Sequence, residues 1–172
     1  MDSKVEQEFL KAYDDLADAL YRHCFFRVYS KEKAEELTQD TFMKVWEYLS
    51  SGKDIQNLRA FLYKVCNNLV IDYSRRKKEV SLESMLEAAP NLEPHDQSHE
   101  RIENQVLVNE ILADMENLPE ESRELLILRY LDGFEPREIA EIVGLNVNNV
   151  SVKINRALNA LKKISNQWYE SR

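Results

Sequence analysis

The 172-residue sequence predicts an all-α protein made of two small helical domains joined by an acidic linker. Three observations lead there. Only 3 glycines and 4 prolines stand against 44% hydrophobic residues, and the abundance of leucine, alanine, glutamate and lysine favours helix nearly throughout. Apolar residues recur at three- and four-residue steps in one stretch after another. Charge is segregated: from Glu79 to Glu121 twelve acids face Arg101 alone, a net of −11, so with the whole chain at −8 the remainder carries +3.

The elements follow in order. A first helix over residues 4–28 offers Phe9, Tyr13, Leu16 and Leu20 to a core. "KEKAEELTQDTFMKVWEYLSSG" sets Ala34, Leu37, Thr41, Phe42, Val45 and Leu49 on one face, with Ser30 as N-cap and Gly52 just past the end. "NLRAFLYKVCNNLVIDYSRRKK" starts from the cap Asn57, and its stripe is Leu58, Phe61, Leu62, Val65, Leu69 and Tyr73. These three make an N-terminal domain, residues 1–78. Residues 79–97, with Pro90 and Pro94 and no apolar period, read as a linker. The C-terminal domain, 98–172, has a helix from Pro119 that runs through Leu131 to stop at Gly133. A short helix, Arg137 to Val143, and a longer one from Val147 capped by Asn146 come next, with a sharp turn at Gly144 between them. Ile139, Ala140, Val143, Leu145, Val150 and Ile154 have the spacing of a helix-turn-helix, in which the small Ala140 lets two helices approach.

Charge then points to a partner. The third helix ends in Arg75, Arg76, Lys77 and Lys78, after Asn67, Asn68, Asp72 and Tyr73. A cationic last turn complements the helix dipole, but four bases in a row exceed that need, and the amides up-helix supply base-reading groups beside phosphate-binding charge. Enzyme classes find little support. The one cluster of metal-ligand types, His95, Asp96, His99 and Glu100, sits in or next to the proline-bearing linker without a further ligand, and phosphate loops, nucleophile motifs and paired-carboxylate sites are absent. No metal and no cofactor are expected. Cys24 and Cys66 are isolated, without CxxC spacing, which fits buried thiols in a reducing compartment. Without an apolar run of about 20 residues, and with "MDSKVEQEFL" unlike a signal peptide, the expected location is cytoplasmic with no membrane insertion.

"AEELTQDTFMKVWEYL", "LRAFLYKVCNNLVIDYSRRKK" and "LPEESRELLILRYLDGFEPREIAEIVGLNVNNVSVKINRALNALKKI" together resemble regions two and four of the extracytoplasmic-function (ECF) sigma factors of the sigma-70 superfamily, in the right order and over nearly the whole chain. The resemblance implies a subunit that lends promoter specificity to core RNA polymerase. Its partners would be that polymerase, promoter DNA and an anti-sigma factor. Carried over, it gives Glu36, Gln39, Asp40, Met43 and Lys44 to polymerase docking. It likens "SSGKDIQNLRAFLYK" to the stretch that captures an unstacked base of the minus-ten element, and "NNLVIDYSRRKK" to the helix that contacts that element. Asn148, Asn149, Ser151, Lys153 and Arg156 would read the minus-thirty-five element or hold its phosphates. A polymerase would supply most phosphate contacts, so two linked weak readers suffice in an acidic chain. The linker is then a nucleic-acid mimic in a cationic channel or a solvated tether. Alternatives from other classes are a stand-alone helix-turn-helix regulator and a helical adaptor that binds no DNA.

Overall fold

The computed structural model of the chain describes residues 3–81, 111 and 114–170, with side chains placed over 5–77, 111 and 114–165. Every described regular element is helical: α1 (Ser3–Val28), α2 (Lys31–Ser50), α3 (Leu58–Ser81), α4 (Glu120–Leu126), a π-helical turn (Ile127–Leu131), α5 (Pro136–Val143) and α6 (Val147–Glu170). The expected linker, 79–97, and the His95, Asp96, His99, Glu100 group lie outside the described residues, except that α3 continues through Ser81.

Local chemistry sets the boundaries. The Ser30 side chain accepts from the Lys33 amide to start α2, and the Asn57 side chain accepts from the Ala60 amide at the head of α3. Between α1 and α2 the chain reverses at Tyr29, whose left-handed φ of 52° carries a steric cost of about 1 kcal/mol in a side-chain-bearing residue. α5 begins with Pro136 inside a reciprocal capping box of Glu135 and Glu138, and ends on Gly144 at φ 71°. The expected uninterrupted helix through Leu131 differs in its last turn. There the ladder slips: the Asp132 amide donates to the Ile127 carbonyl at 3.0 Å and the Phe134 amide to Leu128 at 3.0 Å. The wider turn, closed by Gly133 at φ 72°, turns residues 132–134 toward the N-terminal helices.

α1, α2 and α3 form one bundle, and α4, α5 and α6 form the second. Ala34, Leu37, Phe42 and Val45 fill the first core from α2, as the helical stripe requires, together with Phe9 and Leu20 from α1. Tyr13 was expected inside but is 47% exposed, its ring leaning on Phe42 at 4.7 Å. On α3 the expected stripe holds at Leu62, which is fully buried, and differs elsewhere. Leu58, Phe61, Val65, Leu69 and Tyr73 are only partly buried, whereas Tyr63, Cys66, Asn67 and Val70 are fully inside. The cause is tertiary, because α3 packs against α1 and α2 on one side and against α5 on the other.

The two bundles therefore share apolar material. Leu125, Leu128, Phe134, Ile139, Ile142, Val150 and Ile154 belong to the same continuous core as Phe9, Leu20 and Val70. Phe134 is the key piece: it is fully buried, its ring edge-on to Tyr63 at 4.6 Å and under the Arg59 guanidinium at 3.9 Å. Phe134→Ala is expected to lower the unfolding free energy in urea by about 3 to 5 kcal/mol, the usual range for a buried phenylalanine. Exposed Tyr130, four residues away, is the control, with a cost on alanine substitution of about 0.5 kcal/mol or less. Equal costs for the two would mean that the bundles do not pack together in solution.

Candidate nucleic-acid and polymerase interface

Three surfaces carry the residues singled out in the sequence. On α2, Leu37, Thr38, Thr41, Phe42 and Val45 turn inward, and Thr38 and Thr41 satisfy their hydroxyls on the carbonyls of Ala34 and Leu37, each at 2.7 Å. Glu36, Gln39, Met43 and Lys44 are exposed and Asp40 half-buried, all on the opposite stripe. Glu36 takes the Lys33 ammonium at 2.6 Å. Met43 is 60% exposed at the centre of this stripe, an apolar group ringed by charge.

On α3 the polar residues divide between two faces. Asn68, Asp72, Arg75, Arg76 and Lys77 are exposed, and Tyr73 is half-buried with the Lys33 ammonium 5.0 Å from its ring centroid. The Lys78 side chain lies outside the described part. Asn67 is the exception: only 2% exposed, it accepts a hydrogen bond from Arg27 at 2.9 Å. One residue on an α-helix is a rotation of about 100°, enough to carry Asn67 from the solvent side to the side covered by the second bundle. In this arrangement its amide is not available to a nucleic acid.

Between the head of α1 and the α2–α3 loop lies an open cleft of about 330 Å³, lined among others by Glu8, Leu49, Lys53, Asp54, Ile55 and Leu58. Beside it, Lys53 sits over the Tyr48 ring at 4.7 Å, and Tyr48 leans on Phe61 at 4.9 Å. A cation on an aromatic pair next to a cleft is suited to a flat, anionic ligand such as an extruded nucleotide.

On α6, the Asn146 side chain accepts from the Asn149 amide at 2.8 Å and caps the helix. Asn148, Asn149 and Arg156 are exposed; Ser151 is half-buried, its hydroxyl donating to the Val147 carbonyl at 3.0 Å. Lys153 leans back to Glu121 of α4 at 2.5 Å, at the edge of the face. The exposed stripe also contains Val152, 47% exposed, with Asn155 and Asn159, which the sequence reading passed over. Their signal was present: Asn148, Val152, Asn155 and Asn159 follow one another at four- and three-residue steps.

The residues missed altogether hold the two bundles together. Asp132 receives the His23 imidazole Nδ1 at 2.7 Å and the Tyr63 hydroxyl at 3.2 Å, while its carbonyl receives the Arg59 guanidinium at 2.6 Å. Burial, reinforced by the Asp132 carboxylate, pushes the Tyr63 phenol far above its ordinary range and keeps it a donor. Arg27, fully buried, lies 3.7 Å from Glu120 and 3.8 Å from Glu124. Burial draws its guanidinium down, and those two carboxylates work in the opposite direction. Among the described residues no group of three or more His, Cys, Asp or Glu side chains could hold a metal ion, and no helix is long and apolar enough to cross a membrane.

Comparison with known proteins is consistent across the chain. Residues 12–80 match the family Sigma-70 region 2 and residues 109–161 match Sigma-70, region 4. The chain is 30% identical over 162 residues to the ECF RNA polymerase sigma factor SigM of Bacillus subtilis, spanning 90% of this chain and 93% of that one. It is 25% identical to SigW of the same organism, over 92% of this chain and 89% of the relative. Against BldN of Streptomyces coelicolor it is 29% identical, covering 91% of this chain but only 60% of that longer protein. In fold it is similar to the sigma factor RpoE solved with the anti-sigma factor NepR from Bartonella quintana, with a TM-score of 0.73 at 23% identity over 93% of this chain and 98% of that one. CnrH, solved with the cytosolic domain of CnrY, gives a TM-score of 0.70 at 20% identity over 94% and 90%. With both sigma regions matched in order and a relative covered almost end to end, the chain belongs to the ECF RNA polymerase sigma factors.

Proposed function

We propose that the chain binds core RNA polymerase through the outer stripe of α2 and directs promoter recognition and opening by two separate DNA-facing surfaces, with no enzymatic step of its own. The observation that carries this reading is the outward placement of all three surfaces while the two bundles pack together. Met43 among Glu36, Gln39, Asp40 and Lys44 offers an apolar contact inside a charged rim, the anatomy of a protein–protein interface. Arg75, Arg76 and Lys77 give the strand-holding charge at the end of α3, and the cleft beside Lys53 and Tyr48 gives a place for an unstacked base. Lys78 continues the same basic run in sequence. The α6 stripe of Asn148, Val152, Asn155, Arg156 and Asn149 reads a major groove by amide contacts to adenine and an apolar contact to thymine methyls. The sigma factor RpoE solved with the anti-sigma factor NepR supports a protein regulator of that class as a further partner, and the expected site of action is the cytoplasm.

Run-off transcription with purified core polymerase tests the reading. Promoter-specific transcripts that require the chain are expected. Sequence-specific binding of the isolated chain to a palindrome, without any polymerase-dependent transcript, would identify a stand-alone regulator instead.

Replacing Arg75, Arg76 and Lys77 by alanine should leave polymerase binding intact while open complexes form less and tolerate less salt, because the lost partners are phosphates. Unchanged open-complex formation at elevated salt would leave these residues a helix-end role only.

On α6, alanine at Asn148, Asn149 or Asn155 should alter preference in the upstream element by about 1 to 3 kcal/mol at the affected base pair, the worth of a bidentate base contact. Lys153→Ala should weaken all promoters alike and only mildly, since Glu121 already holds that ammonium. Transcription on templates changed one base pair at a time distinguishes the two behaviours, and unaltered preference in all three asparagine variants would remove base reading from this face.

A further inference from the structure

We propose that Cys24 of α1 and Cys66 of α3 form an oxidisable dithiol, a site at which a hydroperoxide converts two buried thiols into a disulfide joining the two helices. Both cysteines are free and fully buried, with their sulfurs 3.2 Å apart. A disulfide has its sulfurs at about 2.05 Å, so closure asks for an approach of roughly 1.2 Å between helices already packed together. The surroundings are polar for a core: Thr38 and Thr41 adjoin the pair, and the buried Arg27 guanidinium lies near both sulfurs.

The two thiols are also unequal. With Cys66 as the donor in that contact, the bond, aided by Arg27 against the effect of burial, holds Cys24 below the ordinary thiol range. The same contact, together with burial, pushes Cys66 well above it. Cys24 is thus the attacking sulfur and Cys66 the resolving one. In the first step the Cys24 thiolate attacks a peroxide oxygen, the O–O bond breaks, and Cys24 sulfenic acid forms with release of hydroxide, which takes up a proton to become water. In the second step the Cys66 sulfur attacks the Cys24 sulfur, its proton goes to the departing hydroxide, and a second water leaves. Two thiols are oxidised by two electrons, and hydrogen peroxide is reduced to two waters.

Access ties this chemistry to the state of the whole chain. Cys24 lies between His23 and Arg27 in sequence, and Cys66 three residues after Tyr63; His23, Arg27 and Tyr63 each meet the second bundle. While Asp132 and Phe134 are seated, both sulfurs are fully buried and Asp132 lies close enough to Cys24 to act on its charge. When the bundles part, these contacts are lost. The dithiol is therefore a site that oxidant reaches chiefly in the undocked chain, and in a reducing compartment it would be returned to thiols. This inference goes beyond the sigma-factor assignment and does not depend on it.

The test is intact-mass measurement of the full chain after hydrogen peroxide, followed by unfolding and alkylation of remaining thiols with N-ethylmaleimide. Wild type should become two hydrogens lighter, monomeric and resistant to alkylation. Cys66→Ser should stop at a Cys24 sulfenic acid that dimedone traps. Asp132→Ala, or Phe134→Ala if the first does not fold, should oxidise severalfold faster than wild type. Two alkylatable cysteines remaining in wild type and in the undocked variant, under peroxide that fully oxidises a small dithiol, would overturn the proposal. So would disulfides that form only between chains, or equal oxidation rates with the bundles docked and undocked.

Discussion

The arrangement of this molecule depends on the insertion of three residues, Asp132, Gly133 and Phe134, between α1 and α3. The insertion combines an apolar anchor with polar partners for its carboxylate and carbonyl: Phe134 is enclosed by Tyr63 and Arg59, and Asp132 is met by His23, Tyr63 and Arg59. A carboxylate brought to such a depth without these donors would cost several kcal/mol, so the docked state is specific to this loop rather than a general collapse of two helical surfaces. The geometry that delivers the loop is local. A π-helical turn before it and the left-handed Gly133 within it set the direction, and the Arg129 guanidinium holds the far side by donating to the Phe134 carbonyl at 2.9 Å.

Around that anchor the interface becomes more ionic. Arg27 reaches across to Glu120 and Glu124 at distances longer than a good hydrogen bond, and only its contact with Asn67 is short. Such a layer is weaker per contact than the apolar core beneath it, and it suits two bundles that hold together in the free chain yet can be parted by a larger binding partner. Parting them would leave the proposed functional surfaces as they are. The α2 stripe, the basic end of α3 and the asparagine face of α6 already point away from the shared core, so their exposure does not depend on how the bundles meet.

How much of this was legible in the sequence follows from the range of the forces involved. The helix-turn-helix could be read because Pro136, Gly144 and Asn146 act within a few residues of themselves, and the α2 stripe because a single neighbouring layer covers it. α3 was read only in part: Leu62 is fully buried and Leu58, Phe61, Val65, Leu69 and Tyr73 pack against the core, but a further buried face adjoins them. Periodicity reports one buried face, and this helix has two, the second supplied by α5 from some seventy residues further on, so Tyr63, Asn67 and Val70 fell outside the stripe that periodicity picks. Tyr13 failed the opposite way, an aromatic on a core stripe left half outside. The proposed sites divide likewise: the exposed amides and bases of α3 and α6 lie where pattern and charge put them, but the pairing of Asp132 with His23 spans 109 residues and leaves no local trace.

The most direct measurement of the central claim, that the 132–134 loop docks the two bundles in the free chain, is a nuclear Overhauser contact between the Phe134 and Tyr63 rings in the full-length protein. With centroids 4.6 Å apart, a strong cross-peak that disappears in an Asp132→Ala variant is predicted. A Phe134 ring showing contacts only to its own bundle, with shifts indifferent to substitution of Asp132, would contradict the account.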